Sequence, residues 1–419
     1  MAIAAVPEYL KEADFSSASP GMRFNMYLQV WGVDLRSGEI LWGLQDSKYE
    51  TRGQERRERR VQVDNKAPAL NEAGRLNALD RQIMQALLAR QEHGFANSVA
   101  PDDGLIIDAQ ATAPFATGLG NEHPVENGFA FLYPYGLPYL PGSGVKGVLR
   151  AAARELASGE WGDPQGWDAH AIDALFGPVT DAPDDDRRRG ALIFWDVIPQ
   201  LKGDRLHVEV MTPHQKHYYQ DGKSPHDSGQ PIPISFLTVP PGSGFTFHVQ
   251  CDRALLSWTR PQLLENGMWR TLLRAAFEHA FQWLGFGAKT SVGYGAMKAD
   301  QARQLEREAR VREREERERQ ERERAERERA IAAMDPIDRA MAECFEARAD
   351  KNQPEISALI SALQQDRFPA EIVGEVARRL KHKMEVAGQW VPESRKKRPD
   401  KDKEYQRTLL VMKYLENSP

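Results

Sequence analysis

Cysteine is almost missing from this chain. Cys251 and Cys344 are the only two in 419 residues, too few and too far apart for a disulfide framework or a cysteine-rich zinc site. No apolar run approaches the ~20 residues that a membrane span requires. The opening Met1–Val6 stretch lacks a basic flank and gives way to Glu8, Lys11, Glu12 and Asp14. It does not read as a secretory signal, and a cytoplasmic protein without membrane contact is the expectation. An excess of positive charge is lacking too: 56 Lys and Arg against 61 Asp and Glu give a net charge of −5. Residues 1–300 are more acidic still, with 29 basic and 36 acidic side chains. Bulk electrostatics would not draw a polyanion to such a body, so phosphate binding would have to work through local basic patches. Wholesale disorder is excluded, because 41% hydrophobic and 9% aromatic residues supply a packed core.

At roughly 150 residues per domain the length allows two or three domains, and the charge pattern suggests where they divide. Residues 301–330 carry 11 Arg and 10 Glu. Glu306–Arg310, Glu308–Arg312, Glu313–Arg317, Glu315–Arg319, Glu318–Arg322 and Glu323–Arg327 are spaced i,i+4 in the favourable Glu-first order. Leu305 and Val311 are the only large apolar residues there, so a coiled-coil seam is absent and a solvated helical spacer over 301–333 is expected. Residues 334–419 read as a small all-α module. Ile356, Leu359, Ile360 and Leu363 share one helical face, as do Ile372, Val376, Leu380 and Met384. Its basic run Arg395–Arg398, with Lys401 and Lys403, precedes a last helix and reads as a solvated loop or an RNA contact.

Residues 1–300 read as one α+β domain. Phe24, Met26, Leu28 and Val30 alternate like a half-buried strand. Leu76, Leu79, Ile83, Leu87 and Leu88 repeat at helical spacing, with Gly94 as the expected stop. Ala191–Ile198, Leu206–Met211 and the alternation Phe245, Phe247, Val249, Cys251 read as strands. A helix from about Gln262 to Leu284 presents Trp269, Leu273, Ala276, Phe277 and Ala280. Without regular βαβ alternation, helices on one face of an antiparallel sheet are expected. Residues 51–66 interrupt as a basic polar insertion, in which Arg56 and Arg57 are candidate RNA contacts.

Three segments could carry chemistry. In the first, Gly142, Ser143 and Gly144 precede an apolar stripe of Val145, Val148, Leu149, Ala152, Ala153 and Leu156. Backbone N–H groups and the positive helix end would converge there on an anion, with Lys146, Arg150 and Arg154 as a basic row; an ordinary capped helix is the plainer alternative. The second, Gly285–Gly295, superficially resembles a nucleotide-binding P-loop. Ala288 replaces the glycine needed before Lys289, and the segment follows a helix rather than a strand, so ATP or GTP binding is rejected. A flexible loop with Gly287, Lys289, Thr290, Ser291 and Tyr294 around a phosphate remains. The third holds His214, Lys216, His217 and Tyr218. Two histidines three apart could ligate a metal or act as acid and base, but no third ligand stands at a motif spacing. A polar and aromatic surface for single-stranded RNA suits these residues better. No metal and no cofactor are expected.

In this order, these segments resemble the RAMP superfamily of CRISPR-associated proteins, and within it the sixth-subunit family of the type III-B (Cmr) effector complex. The matching strings are Phe115–Gly120, Glu126–Phe129, Leu137–Arg150, Phe194–Pro199, Val210–His214 with Tyr218 and Tyr219, Pro231–Leu237 and Gly285–Gly295, across residues 105–297. The resemblance implies a ferredoxin-like (RRM-like) domain near the 3′ end of a guide RNA, capping a filament of RAMP backbone subunits and helping to hold the guide–target duplex. Guide RNA, target RNA, backbone subunits and small helical subunits are the implied partners. It gives Asp34, Asp196 and the histidines no catalytic role, and it does not cover 301–419. The expectation is a non-catalytic RNA-binding subunit; a metal-independent endoribonuclease using His214 or His217 is the alternative.

Overall fold

Proline, asparagine and aspartate set most helix starts in the chain. The computed structural model describes residues 2–52, 57–164, 166–178, 188–212, 222, 224, 233–394 and 398–416. Pro20 opens α1 (Pro20–Asn25), and a basic ribbon follows, β1 (Gln45–Arg52) against β2 (Arg57–Asp64). After α2 (Lys66–Ala73), Asn77 and Asp80 cap each other reciprocally at the start of α3 (Ala78–Ser98), a capping box that satisfies two otherwise orphaned amides. Next come β3 (Gly104–Ala111), the two-residue strands β4 (Phe131–Leu132) and β5 (Leu137–Pro138), and α4 (Gly142–Ala157). Then follow α5 (Ala169–Phe176), β6 (Leu192–Phe194), β7 (His207–Met211), β8 (Ile234–Thr238), β9 (Gly244–Cys251), α6 (Arg253–Thr259), α7 (Met268–His279) and β10 (Met297–Ala299).

The chain divides into two compact units, Met1–Glu306 and Arg307–Pro419. In the first, an antiparallel sheet has the order β10-β3-β9-β6. α4 lies in sequence between β3 and β6, and α7 between β9 and β10. Period-two alternation drives Phe245, Phe247, Val249 and Cys251 of β9 into one core, all buried, where Phe247 meets Phe277 of α7 edge-on at 5.2 Å. Burial pushes the Cys251 thiol up to about 12, so it is an inert core residue. On the other side of the sheet, α3 sets Phe95 against His248 and Trp195, with ring centroids 5.0 and 5.3 Å away. There Asp108, fully buried, accepts from Thr246 Oγ1 at 2.7 Å and pairs with Arg303 Nε at 3.2 Å.

Several expectations need correction. The stretch 24–30 is not a strand: Phe24 is buried in α1, Met26 is exposed, and Leu28 and Val30 follow in irregular backbone. Pro20 at the first turn and the carbonyls accepting from Arg23 (Glu72 O at 3.0 Å and Arg75 O) hold a helical turn there. Gly94 does not stop its helix, which runs on to Ser98 because Phe95 still has a core to enter. The polar insertion is instead the β1–β2 ribbon. The strand read over Ala191–Ile198 is only three residues long, β6, followed by an isolated bridge from Val197 to Leu140.

The second unit begins within α8 (Gln301–Ala333), which has no buried residue. Its described ion pairs Arg314–Glu318 at 2.8 Å and Arg324–Glu328 at 2.9 Å close in the Arg-first order. α9 (Pro336–Glu346), α10 (Glu355–Gln364), α11 (Val373–Val386) and α12 (Lys403–Glu416) gather around Leu359, Leu380, Met384 and Val411. Asp335 caps α9, accepting from Ile337 N–H at 3.0 Å, and the Arg379 guanidinium holds its carboxyl far below the usual range. Among the described residues, no helix is long and apolar enough to cross a membrane.

Candidate nucleic-acid interface

The first candidate loop is part of a helix rather than a prelude to one. Gly142, Ser143 and Gly144 form the first turn of α4. Gly142 is buried, and a Cβ there would collide with the Phe194 carbonyl. Its N–H donates to the Asp196 carboxylate at 2.7 Å. The anion expected at this helix start is therefore supplied by the protein, which a helix N-terminus accepts as readily as a phosphate. Ser143 and Gly144 are exposed, while Val145, Leu149, Ala152 and Ala153 are buried as the stripe required.

The basic row beyond it is divided. Lys146 is half-buried; burial, then the neighbouring Arg150, lowers its pKa. Arg150 donates through Nη2 to the Gly177 carbonyl at 2.8 Å. Burial, then Arg154, also lowers the Arg150 pKa. Arg154 is exposed. Arg150 is thus committed to tying α4 to the end of α5, and Lys146 is the freer cation.

The second loop is tightly packed rather than flexible. Gly287 (φ +86°) and Gly295 (φ +70°) occupy left-handed backbone, and a Cβ at either would strike a carbonyl oxygen, that of Ala116 or Phe286 respectively. Only glycine fits such positions without strain. Ala288 N–H donates to Ala116 O at 2.8 Å, Phe286 N–H to Gly295 O at 2.9 Å and Gly295 N–H to Pro114 O at 2.8 Å. The loop is stapled to the chain leaving β3. Its polar tip stays accessible, with Thr290 half-buried and Ser291, Val292 and Gly293 exposed.

Lys289, itself at φ +60°, reaches the β7–β8 ribbon. Its Nζ lies 3.1 Å from the Met211 Sδ and 5.9 Å from the Phe236 ring centre. Tyr294 Oη donates to Glu209 at 3.5 Å, and burial, then Glu209, raises its pKa. Met211 pairs with Ile234 at the end of this ribbon, where the chain leaves toward residues 213–232. His214, Lys216, His217 and Tyr218 belong to that connection and lie outside the described residues, as does Arg56. Arg57 begins β2, and its side chain is likewise outside them. Lys289 therefore stands where the third candidate segment departs.

Sequence reasoning missed Asp196, Glu209, Met211 and Phe236. Asp196, Met211 and Phe236 lay inside the Phe194–Pro199, Val210–His214 and Pro231–Leu237 strings, whereas Glu209 had no signal. The two glycine segments stand at opposite edges of the sheet: Gly142 abuts β6, and Gly285–Gly295 leads into β10. Among the described residues, no hydrogen bond or ion pair joins Lys146 or Arg150 to Lys289 or Ser291. No group of three His, Cys, Asp or Glu among the described residues could hold a metal ion.

Residues 108–298 match the RAMP superfamily. The RAMP match begins within β3 and ends within β10, so it contains α4, α7, the β7–β8 ribbon and both glycine segments. Over 231 residues the chain is 30% identical to the CRISPR system Cmr subunit Cmr6 of Pyrococcus furiosus, covering 43% of this chain and 63% of that protein. The chain thus spans less than two thirds of that relative. Among solved structures, the type III-B Cmr-beta bound to cognate target RNA aligns at TM-score 0.38 and 19% identity, over 56% of this chain and 69% of that one. The crystal structure of Cmr6 from Pyrococcus furiosus aligns at TM-score 0.27 and 26% identity, over 47% and 97%.

Proposed function

We propose that the chain is a non-catalytic RNA-binding subunit of a type III-B CRISPR ribonucleoprotein. Its RAMP domain grips the guide RNA backbone near the 3′ end and caps the filament of backbone subunits in antiviral defence. The observation that carries this reading is the RAMP match over residues 108–298, which encloses the one place where Lys289, the glycine loop and the ribbon end converge. The Cmr6 of Pyrococcus furiosus supports the subunit assignment. The order β10-β3-β9-β6, with α4 and α7 as connections, is consistent with a ferredoxin-like βαββαβ domain. Phosphate contacts of this kind carry no sequence information, which suits a subunit that serves many guides.

In this reading Lys289, Thr290 and Ser291 take one part of the strand, together with Tyr294 and the segment holding His214, Lys216 and Tyr218. Ser143, Gly144 and Lys146 take another. The two edges of the sheet are three strand spacings apart, about 14 Å, so one RNA crossing the end of the sheet serves both. Arg56 and Arg57 extend the contact through the β1–β2 ribbon. Residues 301–333 act as a solvated spacer between the domain of residues 1–300 and the 334–419 module. Guide and target RNA, the backbone subunits and the small helical subunits are the partners.

Two of the described histidines have structural work. His123 stacks on Phe24 at 3.8 Å and donates to its carbonyl at 3.0 Å, and His279 pairs with Glu155 at 2.7 Å. The test is co-expression with the other subunits and a guide. Lys289→Glu with Lys146→Glu should lower the 260/280 nm ratio of the purified assembly while its protein subunits still co-elute. Unchanged RNA retention would refute the assignment of these loops. Loss of target cutting in an intact His214→Ala/His217→Ala assembly would favour the endoribonuclease instead.

A further inference from the structure

We infer that the second unit carries an RNA-binding site of its own, at the end formed by α11, the turn over residues 398–402 and the start of α12. The first observation is a charge division inside the unit. Residues 334–375 hold 4 basic and 9 acidic side chains, whereas residues 376–419 hold 12 basic and 6 acidic. A unit close to neutral overall therefore presents a strongly positive half, and a polyanion feels the local patch rather than the sum.

The second observation is which cations are already used. Arg379 contacts Asp335 at 2.6 Å and Asp338 at 2.5 Å, Lys383 contacts Glu355 at 2.5 Å, and Arg378 pairs with Glu375. Arg398, Lys401 and Lys403 differ. All three are exposed, and none has an ion-pair partner among the described residues. Asp400 and Glu404 are exposed beside them without pairing with them. Lys403 also sits in the first turn of α12, where the helix dipole disfavours a cation, so fold stability does not account for its charge.

Third, the loop is fixed at its base. Asp402 is buried, accepts from Ser394 Oγ at 3.0 Å, and its carbonyl accepts from Gln406 N–H at 2.9 Å. The acid closest in sequence to the three cations is thereby withdrawn from the surface. Val391 N–H donates to Thr408 Oγ1 at 3.0 Å, anchoring the chain that leaves α11 on α12. Half-buried Trp390 lies on the same approach, with Lys381 Nζ 5.3 Å from its ring centre. An aromatic next to the Val391 anchor on α12, together with exposed lysines and an arginine at the start of that helix, suits single-stranded RNA, which offers phosphates and unstacked bases together. Arg395, Lys396 and Lys397 adjoin the loop in sequence and lie outside the described residues.

This site does not depend on the RAMP reading, because it lies beyond the matched residues. The test uses the full chain and a short fluorescein-labelled oligouridine, with anisotropy read across a salt series. Neutralising three phosphate contacts to a single strand should flatten the slope of log affinity against log salt by about 2. Arg398→Gln/Lys401→Gln/Lys403→Gln should show that change and bind about a hundredfold more weakly near 0.1 M salt. A control with the same charge change, Arg312→Gln/Arg317→Gln/Arg329→Gln, should retain the original slope. Far-UV circular dichroism of both proteins checks that the helices persist. A loop variant that matches the control overturns the site, including the case in which those cations serve an acidic protein surface. Lys289→Glu, measured in parallel, reports on the first unit alone.

Discussion

The ion pair under the start of α8 offers a sharp quantitative test. Asp108 is fully buried and Arg303 about a quarter exposed, with 3.2 Å between Oδ1 and Nε. Arg303→Ala strips a buried carboxylate of its cation, a change that costs about 3–5 kcal/mol when no water can follow. The partial exposure of Arg303 lets some water in, so about 3 kcal/mol is expected. Asp108→Asn in the same chain removes the stranded charge while keeping an acceptor for Thr246 Oγ1. The double variant should therefore be about 2 kcal/mol more stable than the sum of the two single changes predicts. Eight of the nine tryptophans precede residue 307, so their fluorescence during urea unfolding reports on the first unit. With a slope of about 2 kcal/mol per M, Arg303→Ala lowers the midpoint by about 1.5 M. Single effects that add within about 0.5 kcal/mol would show that Arg303 is not the counter-charge of Asp108.

Further outcomes follow from the two loops and from α5. Gly295→Ala should destabilise the first unit by about 3 kcal/mol or more, whereas Gly293→Ala, with nothing within 4 Å of its Cβ, should cost about 1 kcal/mol; equal midpoint shifts would refute the packed loop. Asp196→Ala removes the acceptor from Gly142 N–H and should lower stability by about 1–2 kcal/mol, read as a midpoint shift. Asp168 is held below the usual carboxylate range by Arg260, bonded to both its oxygens at 2.7 Å, and also accepts from Ala171 N–H. Its contribution is full above the unfolded carboxylate value of about 3.9 and fades as pH falls through the lower folded value. Asp168→Asn keeps the cap but should cost about 1 kcal/mol at pH 7, a gap that closes on acidification; a gap constant from pH 7 to 3 contradicts the assignment.

What could be read from the sequence depended on how far apart the interacting residues lie. The α4 stripe and the β9 alternation are local and strongly periodic, and Leu149, Ala152, Phe245 and Phe247 are buried as their spacing required. The run from Phe24 to Val30 is also periodic but only four positions long. Pro20 and the carbonyls that Arg23 reaches near the end of α2 outweighed it. The β1–β2 ribbon carried its own alternation in Val61 and Val63, obscured by the arginines around them. At the candidate interface the residue types were visible, but their assignments were not. Asp196, 54 positions from Gly142, fills the anion place that spacing alone left open. Gly287 and Gly295 follow from the nearness of Ala116 and Phe286, a tertiary fact without a sequence signature.

In the proposed function, RNA contacts the first unit at the β7–β8 connection and the 285–295 loop. A guide carrying 4-thiouridine near its 3′ end, crosslinked in the purified assembly and followed by peptide mass spectrometry, addresses it most directly. Crosslinked peptides from residues 212–233 and 285–295 are predicted. Crosslinks confined to other surfaces of the first unit, in an assembly that retains its guide, would contradict it.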